Sequence, residues 1–224
     1  MIEISIIIPC KVIDTKVARC LDYCREQSVD KEILVITDEV CPGLPSAKRN
    51  YAMTIATGDI LAFIDSDAYP SEHWLWNAML WLKSFDAVCG PGVLPPDAPL
   101  SEKIADQVHK WIFCSYRVVP KLARVVPWHP TFNLIVKREV ATTFDDYLTG
   151  EDDKFCLRIK DGVFYHPDIL VYHNRRGAFK PLWKQFATWG SHKGAFVGIA
   201  FVAWVSTLFV YAFNWIKGFI RRKP

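Results

Sequence analysis

The sequence predicts an α/β fold: a doubly wound, Rossmann-like sheet with helices on both faces. Short apolar runs rich in β-branched residues alternate with segments whose apolar residues recur every three or four positions, the pattern of strands alternating with helices. Two such strand–helix units follow each other within the first 70 residues, and consecutive units of this kind build a parallel sheet. A chain of 224 residues is long enough for one full α/β core and an added membrane segment.

The first predicted strand, Ile4–Pro9, is a continuous apolar run that a proline stops, as in a buried parallel strand. The segment Asp14–Gln27 carries an apolar stripe at helical spacing. The remaining predicted elements are, in order, a strand at Glu32–Thr37, a helix over 47–56 capped by Ser46 and closed by Gly58, a strand at Ile60–Asp65, a Trp-rich helix capped by Ser71 and ending near Lys83, a strand at Asn133, and a helix from Glu151 to about Ile159.

The stretch Ile60–Pro70 contains the main candidate site, because an apolar strand stops at two carboxylates one residue apart. In an open α/β sheet, ligands bind beyond the carboxyl ends of the strands. If extended geometry persists through Ser66, Asp65 and Asp67 share one face and can meet one cation, and oxygen ligands of this kind suit Mg²⁺ or Mn²⁺. The alternative is a strand followed by a plain turn.

Lys48, Arg49 and Asn50 lie at the start of the second predicted helix. Basic residues there oppose the helix dipole unless an anion binds, and a diphosphate would be such an anion. A solvated basic turn is the alternative interpretation.

Composition narrows the class of protein. The formal net charge of +3 gives no support to a nucleic-acid partner. The seven cysteines form no CxxC pair and are odd in number, which favours reduced, mostly buried thiols in a cytoplasmic domain over a disulfide frame or a zinc site. The N-terminus lacks the pattern of a signal peptide.

Several motifs in order resemble those of a family-2 glycosyltransferase with the GT-A fold. They are the strand ending in Pro9, the strand ending at Asp38, Ser-Ala-Lys-Arg-Asn at 46–50, Ala-Thr-Gly-Asp at 56–59, Phe-Ile-Asp-Ser-Asp at 63–67, Asn-Leu-Ile-Val-Lys-Arg at 133–138, Gly-Glu-Asp at 150–152 with Leu157 and Arg158, and His173 followed by Gln-Phe-Ala-Thr-Trp at 185–189. The resemblance implies a GT-A catalytic domain over residues 1–190. Thr188 departs from the Arg of the QxxRW pattern, which weakens a processive, cellulose-synthase-like interpretation, and Lys154 stands where many relatives have an acid.

The resemblance also implies a donor site for a nucleotide-diphosphate sugar. Asp38 would contact the base, Arg49 would lie near the nucleotide, and Asp65 would contact the ribose or the metal. Asp67 would be a direct ligand of Mn²⁺ or Mg²⁺, and His173 a further ligand of metal or diphosphate. The full implied donor set is Pro9, Asp38, Lys48, Arg49, Asn50, Asp65 and Asp67. A lone His after an apolar run is otherwise a common strand-end residue.

Asp152 would be the general base of an inverting transfer, taking the proton of the acceptor hydroxyl. Its neighbours Glu151 and Asp153 would raise its pKa through their like charge. A plain acidic first turn favoured by the helix dipole is the alternative. The implied acceptor side comprises Trp128, His129, Asn133, Glu151, Gln185 and Trp189. Trp128 and His129 would form an aromatic wall for a sugar, or alternatively a turn.

Ala195–Ile216 holds no charged residue over 22 positions and predicts a membrane-spanning or membrane-inserted helix, followed by a basic tail at 217–224. The expected protein is membrane-associated with a cytoplasmic catalytic domain, membrane lipid as a partner, and a lipid-linked or glycan acceptor. A single span would place the basic tail outside, against the positive-inside tendency. A truncated chain, a helix that enters without crossing, or an exception to the rule would each resolve this.

Three other classes fit parts of the sequence. A haloacid-dehalogenase-type phosphotransferase also has Asp-x-Asp at a strand end, but on its first strand, and Tyr69 stands where that family has Thr or Val. A nucleotidyltransferase would need a glycine-rich triphosphate loop near the first strand. A non-catalytic, membrane-anchored nucleotide- or sugar-binding protein is the third.

Overall fold

The computed structural model describes residues 3–104, 106, 122–146 and 150–174. The chain forms two compact units, one of residues 1–95 with 119–174 and one of residues 96–118 with 175–224. All elements given below belong to the first unit. The predicted membrane helix 195–216, the basic tail 217–224, Gln185 and Trp189 lie outside the described residues. In the described ranges, no helix has the length and apolar character needed to cross a bilayer.

The strands of this unit are β1 (Ile4–Pro9), β2 (Lys31–Ile36), β3 (Ile60–Ile64), β4 (Ala68–Pro70), β5 (Ala87–Cys89), β6 (Gly92–Val93), β7 (Arg124–Val126), β8 (Asn133–Lys137), β9 (Val163–Tyr165) and β10 (Val171–His173). Its helices are α1 (Thr15–Arg25), α2 (Pro45–Ile55), α3 (Trp74–Leu82) and α4 (Glu151–Leu157), with a short 3₁₀ helix at Arg138–Val140. The predicted elements are therefore present, and most of their ends agree to within a few residues.

Seven strands form a mixed sheet in the order β2-β1-β3-β8-β5-β9-β7. β1 is parallel to β2 and to β3, as the two strand–helix units predict. β8 is antiparallel to both of its neighbours, β3 and β5. The prediction of a doubly wound parallel sheet therefore holds for β1–β3. β5 and β9 are also parallel to each other, but β8 lies antiparallel between β3 and β5, so the sheet as a whole is mixed.

Helices cover both faces of this sheet, as predicted. Ile4, Ile6 and Ile8 point to one side and pack in one apolar cluster with residues of α1 and α3. Ile7 points to the other side and packs in a second cluster with residues of α2 and α4. This alternation along β1 follows from the two-residue repeat of a strand. Of the described cysteines, all six are free and five are buried, as predicted.

Two predicted helix starts are wrong. α2 begins at Pro45, so Ser46 lies inside the first turn and does not cap the helix. Proline suits this first position because its missing N–H would have no partner there. α3 begins at Trp74 with His73 as its N-cap, and the Ser71 carbonyl accepts a hydrogen bond from the Trp74 N–H at 3.1 Å. Asp14 does cap α1, accepting from the N–H groups of Lys16 and Val17 at 3.0 Å.

Gly58 has a packing reason that the sequence does not reveal. A Cβ at this position would lie 2.7 Å from the Ser5 nitrogen and 2.8 Å from the Ile4 carbonyl carbon. The Gly58 N–H donates to Ser5 Oγ at 2.9 Å, and Ser5 in turn donates to Glu32. Glu32 also accepts from Thr57, so this loop is tied to β1 and β2 just before β3 begins. This close approach of the Gly58 backbone to β1 fixes the start of β3, and β3 ends at the candidate site.

Candidate active site

A turn places the two carboxylates of the Asp-x-Asp segment. β3 ends at Ile64, and the Ala68 N–H donates to the Asp65 carbonyl at 3.0 Å, closing a turn over Asp65, Ser66 and Asp67. Extended geometry, the condition under which the two side chains would share one face of a strand, therefore does not persist through Ser66. The two side chains converge nonetheless, because ligand atoms of Asp65, Asp67 and His173 all lie within 4.8 Å of one another.

His173 reaches this turn because β10 pairs antiparallel with β4, which places His173 opposite Ala68. Its Nε2 lies 3.3 Å from Asp67 Oδ1 and 3.9 Å from Asp65 Oδ2. The Asn174 N–H also donates to the Asp67 carbonyl at 3.1 Å, which fixes the strand end against the turn. Burial opposes ionisation of Asp67, but the hydrogen bond and charge of His173 outweigh it and lower the pKa of Asp67 to about 2.

The three side chains fit a divalent cation. Two carboxylates and one imidazole supply hard oxygen and nitrogen ligands, a donor set that suits Mn²⁺ and, with fewer protein ligands, Mg²⁺. Asp65, Asp67 and His173 are each half-buried, with side chains 34%, 36% and 15% exposed, so the cluster is open on one side. An open side leaves room for ligands from a substrate.

Arg49 joins this turn to the start of α4. Its side chain is only 5% exposed, and its two terminal nitrogens donate to Asp65 Oδ1 at 3.0 Å and to Glu151 Oε1 at 3.4 Å. These partners are 16 and 102 residues away in sequence. A buried guanidinium needs such partners, since an unpaired charge in the interior is costly. One side chain therefore holds together two acidic segments that are far apart in the chain.

Lys48 forms a second buried ion pair next to Arg49. Its side chain is 3% exposed, pairs with Asp38 and donates to the Gly43 carbonyl at 2.8 Å. Asp38 follows β2, and its backbone N–H donates to the Lys11 carbonyl at 3.0 Å, so it lies where β1 and β2 both end. Its side chain is 43% exposed and faces solvent. The solvated basic turn, one of the two interpretations of this segment, is therefore wrong.

Asp152 lies in the first turn of α4, between Glu151 and Asp153. A helix N-terminus favours the charged form of an acid and lowers its pKa. Here burial raises the pKa of Asp152 to about 6, and the charges of Glu151 and Asp153 add to the rise, while Arg49 opposes it. The expected effect of the like charges is confirmed, but burial is the larger cause. A carboxyl with a pKa of about 6 can exchange a proton near neutral pH, as a general base must.

The side chains of two predicted site residues, Asn50 and Asn133, form hydrogen bonds to other segments of the domain. The Asn50 amide donates to the Phe144 carbonyl at 2.8 Å and accepts from the Phe144 N–H at 2.7 Å. Asn133 is 0% exposed, donates to the Ile169 carbonyl at 2.7 Å and accepts from the Trp74 indole N–H at 2.8 Å. Both amides therefore link segments of the domain, and the Asn133 side chain is not exposed toward an acceptor.

Trp128 and His129, which were predicted to form an aromatic wall, are both partly exposed. Trp128 packs against the apolar cluster that contains α4. The His129 ring meets the Phe132 ring edge to face, with centroids 5.3 Å apart. Cys156 of α4 donates its thiol hydrogen to the His129 carbonyl at 3.4 Å, which fixes this segment beside α4.

The structure thus brings together a group of predicted residues from four separate segments: Arg49, Asp65, Asp67, Glu151, Asp152 and His173. Asp38 and Lys48 form a second group at the ends of β1 and β2, where Pro9 is the last residue of β1. Sequence reasoning missed Phe132, whose ring lies flat against His173. Its one sequence signal is an aromatic residue directly before the Asn133 strand.

Known proteins define the class of this domain. The family model described as Glycosyl transferase family 2 matches residues 43–143, a stretch that contains Arg49, the Asp65–Asp67 turn and β8. No curated protein matches the chain.

Three solved structures show the same fold. S. aureus TarS 1–349 in complex with UDP-GlcNAc is 16% identical at a TM-score of 0.56, with 78% of this chain and 59% of that chain covered. The mannosyltransferase PcManGT from Pyrobaculum calidifontis, in complex with GDP-Man and Mn²⁺, is 19% identical at 0.56, with 81% and 59% covered. A197 from STIV is 16% identical at 0.51, with 78% and 87% covered.

This chain therefore spans about three fifths of the length of the TarS 1–349 and PcManGT chains that it matches. At such identities the likeness establishes the fold alone. The domain is of the GT-A-like class, an α/β domain with a mixed central sheet, and the predicted resemblance to family-2 glycosyltransferases is confirmed.

Proposed function

We propose that this protein is an inverting glycosyltransferase that moves a sugar from a nucleotide-diphosphate sugar to a glycan or lipid-linked acceptor. The observation that carries the proposal is the Arg49 bridge. It holds the Asp65 turn, where a donor would bind, next to Glu151 and the base candidate Asp152. The family match over residues 43–143 supports the same reaction class.

Donor binding would use the carboxyl ends of β1, β2 and β3. Asp38 is half-exposed there and can accept hydrogen bonds from the nucleotide's base, while Lys48 holds the Asp38 side chain in place. Asp65, Asp67 and His173 would hold Mn²⁺ or Mg²⁺. When bound, such a cation offsets the negative charge that develops on the departing nucleoside diphosphate. The structure of PcManGT is that of a complex with GDP-Man and Mn²⁺, which supports this assignment.

Transfer would use Asp152 as the base. The acceptor oxygen attacks the anomeric carbon from the side opposite the diphosphate, the bond from that carbon to the diphosphate oxygen breaks, and the configuration inverts. The acceptor proton passes to an Asp152 carboxylate oxygen. With a pKa of about 6, Asp152 is mostly ionised at neutral pH and still basic enough to take this proton. Glu151 is already paired with Arg49, whereas the pKa of Asp152 is raised toward neutrality, so Asp152 is the base that we propose.

Our proposals for the acceptor and for the cellular location rest on the sequence alone. The uncharged run Ala195–Ile216 would hold the domain at a membrane, with the catalytic domain on the cytoplasmic side. An acceptor that is itself anchored in lipid, or a growing glycan beside the membrane, would then be within reach.

The full chain, purified with Mn²⁺ or Mg²⁺, tests the reaction. It is incubated with UDP-, GDP- and dTDP-sugars and a membrane extract as the source of acceptor, and nucleoside diphosphate release is measured. We expect release with one donor class, and at least about a hundredfold slower release from the matched variant Asp152→Asn. If no donor is consumed with either metal, the proposed activity is wrong.

A further inference from the structure

The His173 ring has a flat aromatic neighbour on one face. The Phe132 and His173 ring centroids are 4.8 Å apart and the planes are inclined by only 12°. Phe132 precedes β8 and His173 ends β10, so the contact joins two separate segments of the domain. The edge of the Phe132 ring also meets the His129 ring, at 63°.

A glycine makes room for this arrangement. A Cβ on Gly92 would lie 2.5 Å from Phe132 Cε2 and 2.9 Å from its Cζ, closer than real Cβ contacts come. Gly92 belongs to β6, which pairs directly with β10, and its register partner is Val171. Any side chain at residue 92 would therefore push the Phe132 ring out of its position beside His173.

The backbone pairing of β10 places the His173 Cα, whereas the orientation of the ring depends on the contacts of the side chain. The ring plane decides whether Nε2 points at the acids, and in the structure Nε2 lies 3.3 Å from Asp67 Oδ1. A flat ring packed in parallel restricts this rotation, because turning the imidazole would lose the stacked contact. Groups that orient a ligand in this way contribute to metal affinity without touching the metal.

We propose that Phe132 is a positioning residue that holds the His173 ring in the orientation for binding a divalent cation, and that Gly92 provides the space it needs. This inference rests on the proposed metal site of Asp65, Asp67 and His173. In this inference Phe132 and Gly92 affect the affinity for the metal ion and take no direct part in the transfer step.

Mn²⁺ binding to the full chain, followed by the paramagnetic resonance signal of free Mn²⁺, tests this inference without any donor or acceptor. Phe132→Leu keeps an apolar side chain of similar bulk but removes the ring, and we expect it to weaken Mn²⁺ binding about three- to tenfold. Phe85→Leu is the matched control. It removes a comparable stack, that of Phe85 on Phe164 with centroids 4.0 Å apart, at a position away from the acids, and should leave Mn²⁺ affinity unchanged.

Two further variants separate orientation from a general loss of structure. Gly92→Ala should weaken Mn²⁺ binding in the unaltered chain and by clearly less when Phe132 is already Leu, because the smaller side chain leaves the methyl group room. Phe132→Leu should add nothing when His173 is replaced by Gln, since Phe132 acts only through that ring. Thermal unfolding of each variant is measured alongside.

The outcomes distinguish the inference from the metal site itself. If the unaltered chain binds Mn²⁺, Asp67→Asn abolishes binding, and Phe132→Leu binds as the unaltered chain does, then the positioning role is wrong and the metal site stands. The role is equally wrong if Phe132→Leu weakens binding by the same factor with and without His173. If the unaltered chain binds no Mn²⁺, both the metal site and the positioning role are overturned.

Discussion

Arg49→Met is expected to destabilise the domain by about 3 kcal/mol, because it removes a buried cation from between two carboxylates. A hydrogen bond to a charged group contributes roughly 1.5–3 kcal/mol, so two of them set an upper limit of about 6 kcal/mol. The Asp65 side chain is 34% exposed and regains water when Arg49 is lost, which reduces its share. Glu151 is only 14% exposed and would remain largely desolvated without a partner, which keeps the cost high.

Equilibrium urea unfolding of the full chain, followed by tryptophan fluorescence, measures this loss. Arg49→Lys keeps the charge, but one ammonium group cannot reproduce the planar fork that reaches both acids, so we expect an intermediate loss of about 1–2 kcal/mol. Arg25→Met is the matched control. It removes an Arg–carboxylate contact of 3.1 Å to Asp22, but both side chains are about two thirds exposed, so stability should change little. If Arg49→Met costs no more than this control, the bridge does not hold the two acidic segments together.

Three further predictions concern the base, the metal and the fold. Transfer should fall about tenfold per pH unit below pH 6, where Asp152 takes up a proton, and Asp152→Asn should cut transfer at least about a hundredfold while donor binding persists. Because the folded pKa of Asp152 is raised, the protonated form favours folding: that contribution is complete below about pH 4 and lost as the pH rises through 6, so Asp152→Asn should stabilise the domain at pH 7.5 but not at pH 4. Near-normal transfer by this variant, or a pH profile flat down to 5, would assign the base elsewhere. Asp67→Asn should abolish metal-dependent nucleotide binding, measured by titration calorimetry with and without Mn²⁺, and unchanged affinity would remove Asp67 from the metal site. Gly58→Ala should cost about 2–4 kcal/mol in urea unfolding, because its methyl group would meet backbone at 2.7 Å, and a loss below about 1 kcal/mol would show that the loop yields.

Local patterns were sufficient to locate β1–β3 and α1–α3, and β1 agrees with its predicted bounds while β2 and β3 lie within one residue of theirs. The short strand β4 was not predicted. The starts of α2 and α3 could not be predicted from capping preference. A Ser in the right neighbourhood satisfies the pattern of a cap, whereas the actual start depends on how the preceding loop reaches the helix. The backbone geometry at Ser66 could not be predicted either, because Asp, Ser and Pro occur both in turns and at strand ends.

The residues of the candidate site were likewise predictable only in part. Asp65 and Asp67 stand out in sequence because ligands of an open α/β sheet bind beyond the carboxyl ends of its strands, and Asp152 stands out through its place in a motif of the family. Asn50 and Asn133 match motifs of the family but use their amides to bind backbone within the domain. Residue type and spacing do not reveal which atoms remain available, because that depends on partners as far as 94 residues away.

Sequence alone determined the alternation of strands and helices, the acids that follow β3 and begin α4, and the family that their order resembles. Each of these depends on residue type and on spacing along a short stretch, which a linear chain records directly. Tertiary structure decided that β8 runs antiparallel, that a turn brings Asp65 and Asp67 to His173, and that Arg49 joins them to Glu151. Burial then raised the pKa of Asp152 toward neutrality, and burial depends on what the whole fold places around a side chain.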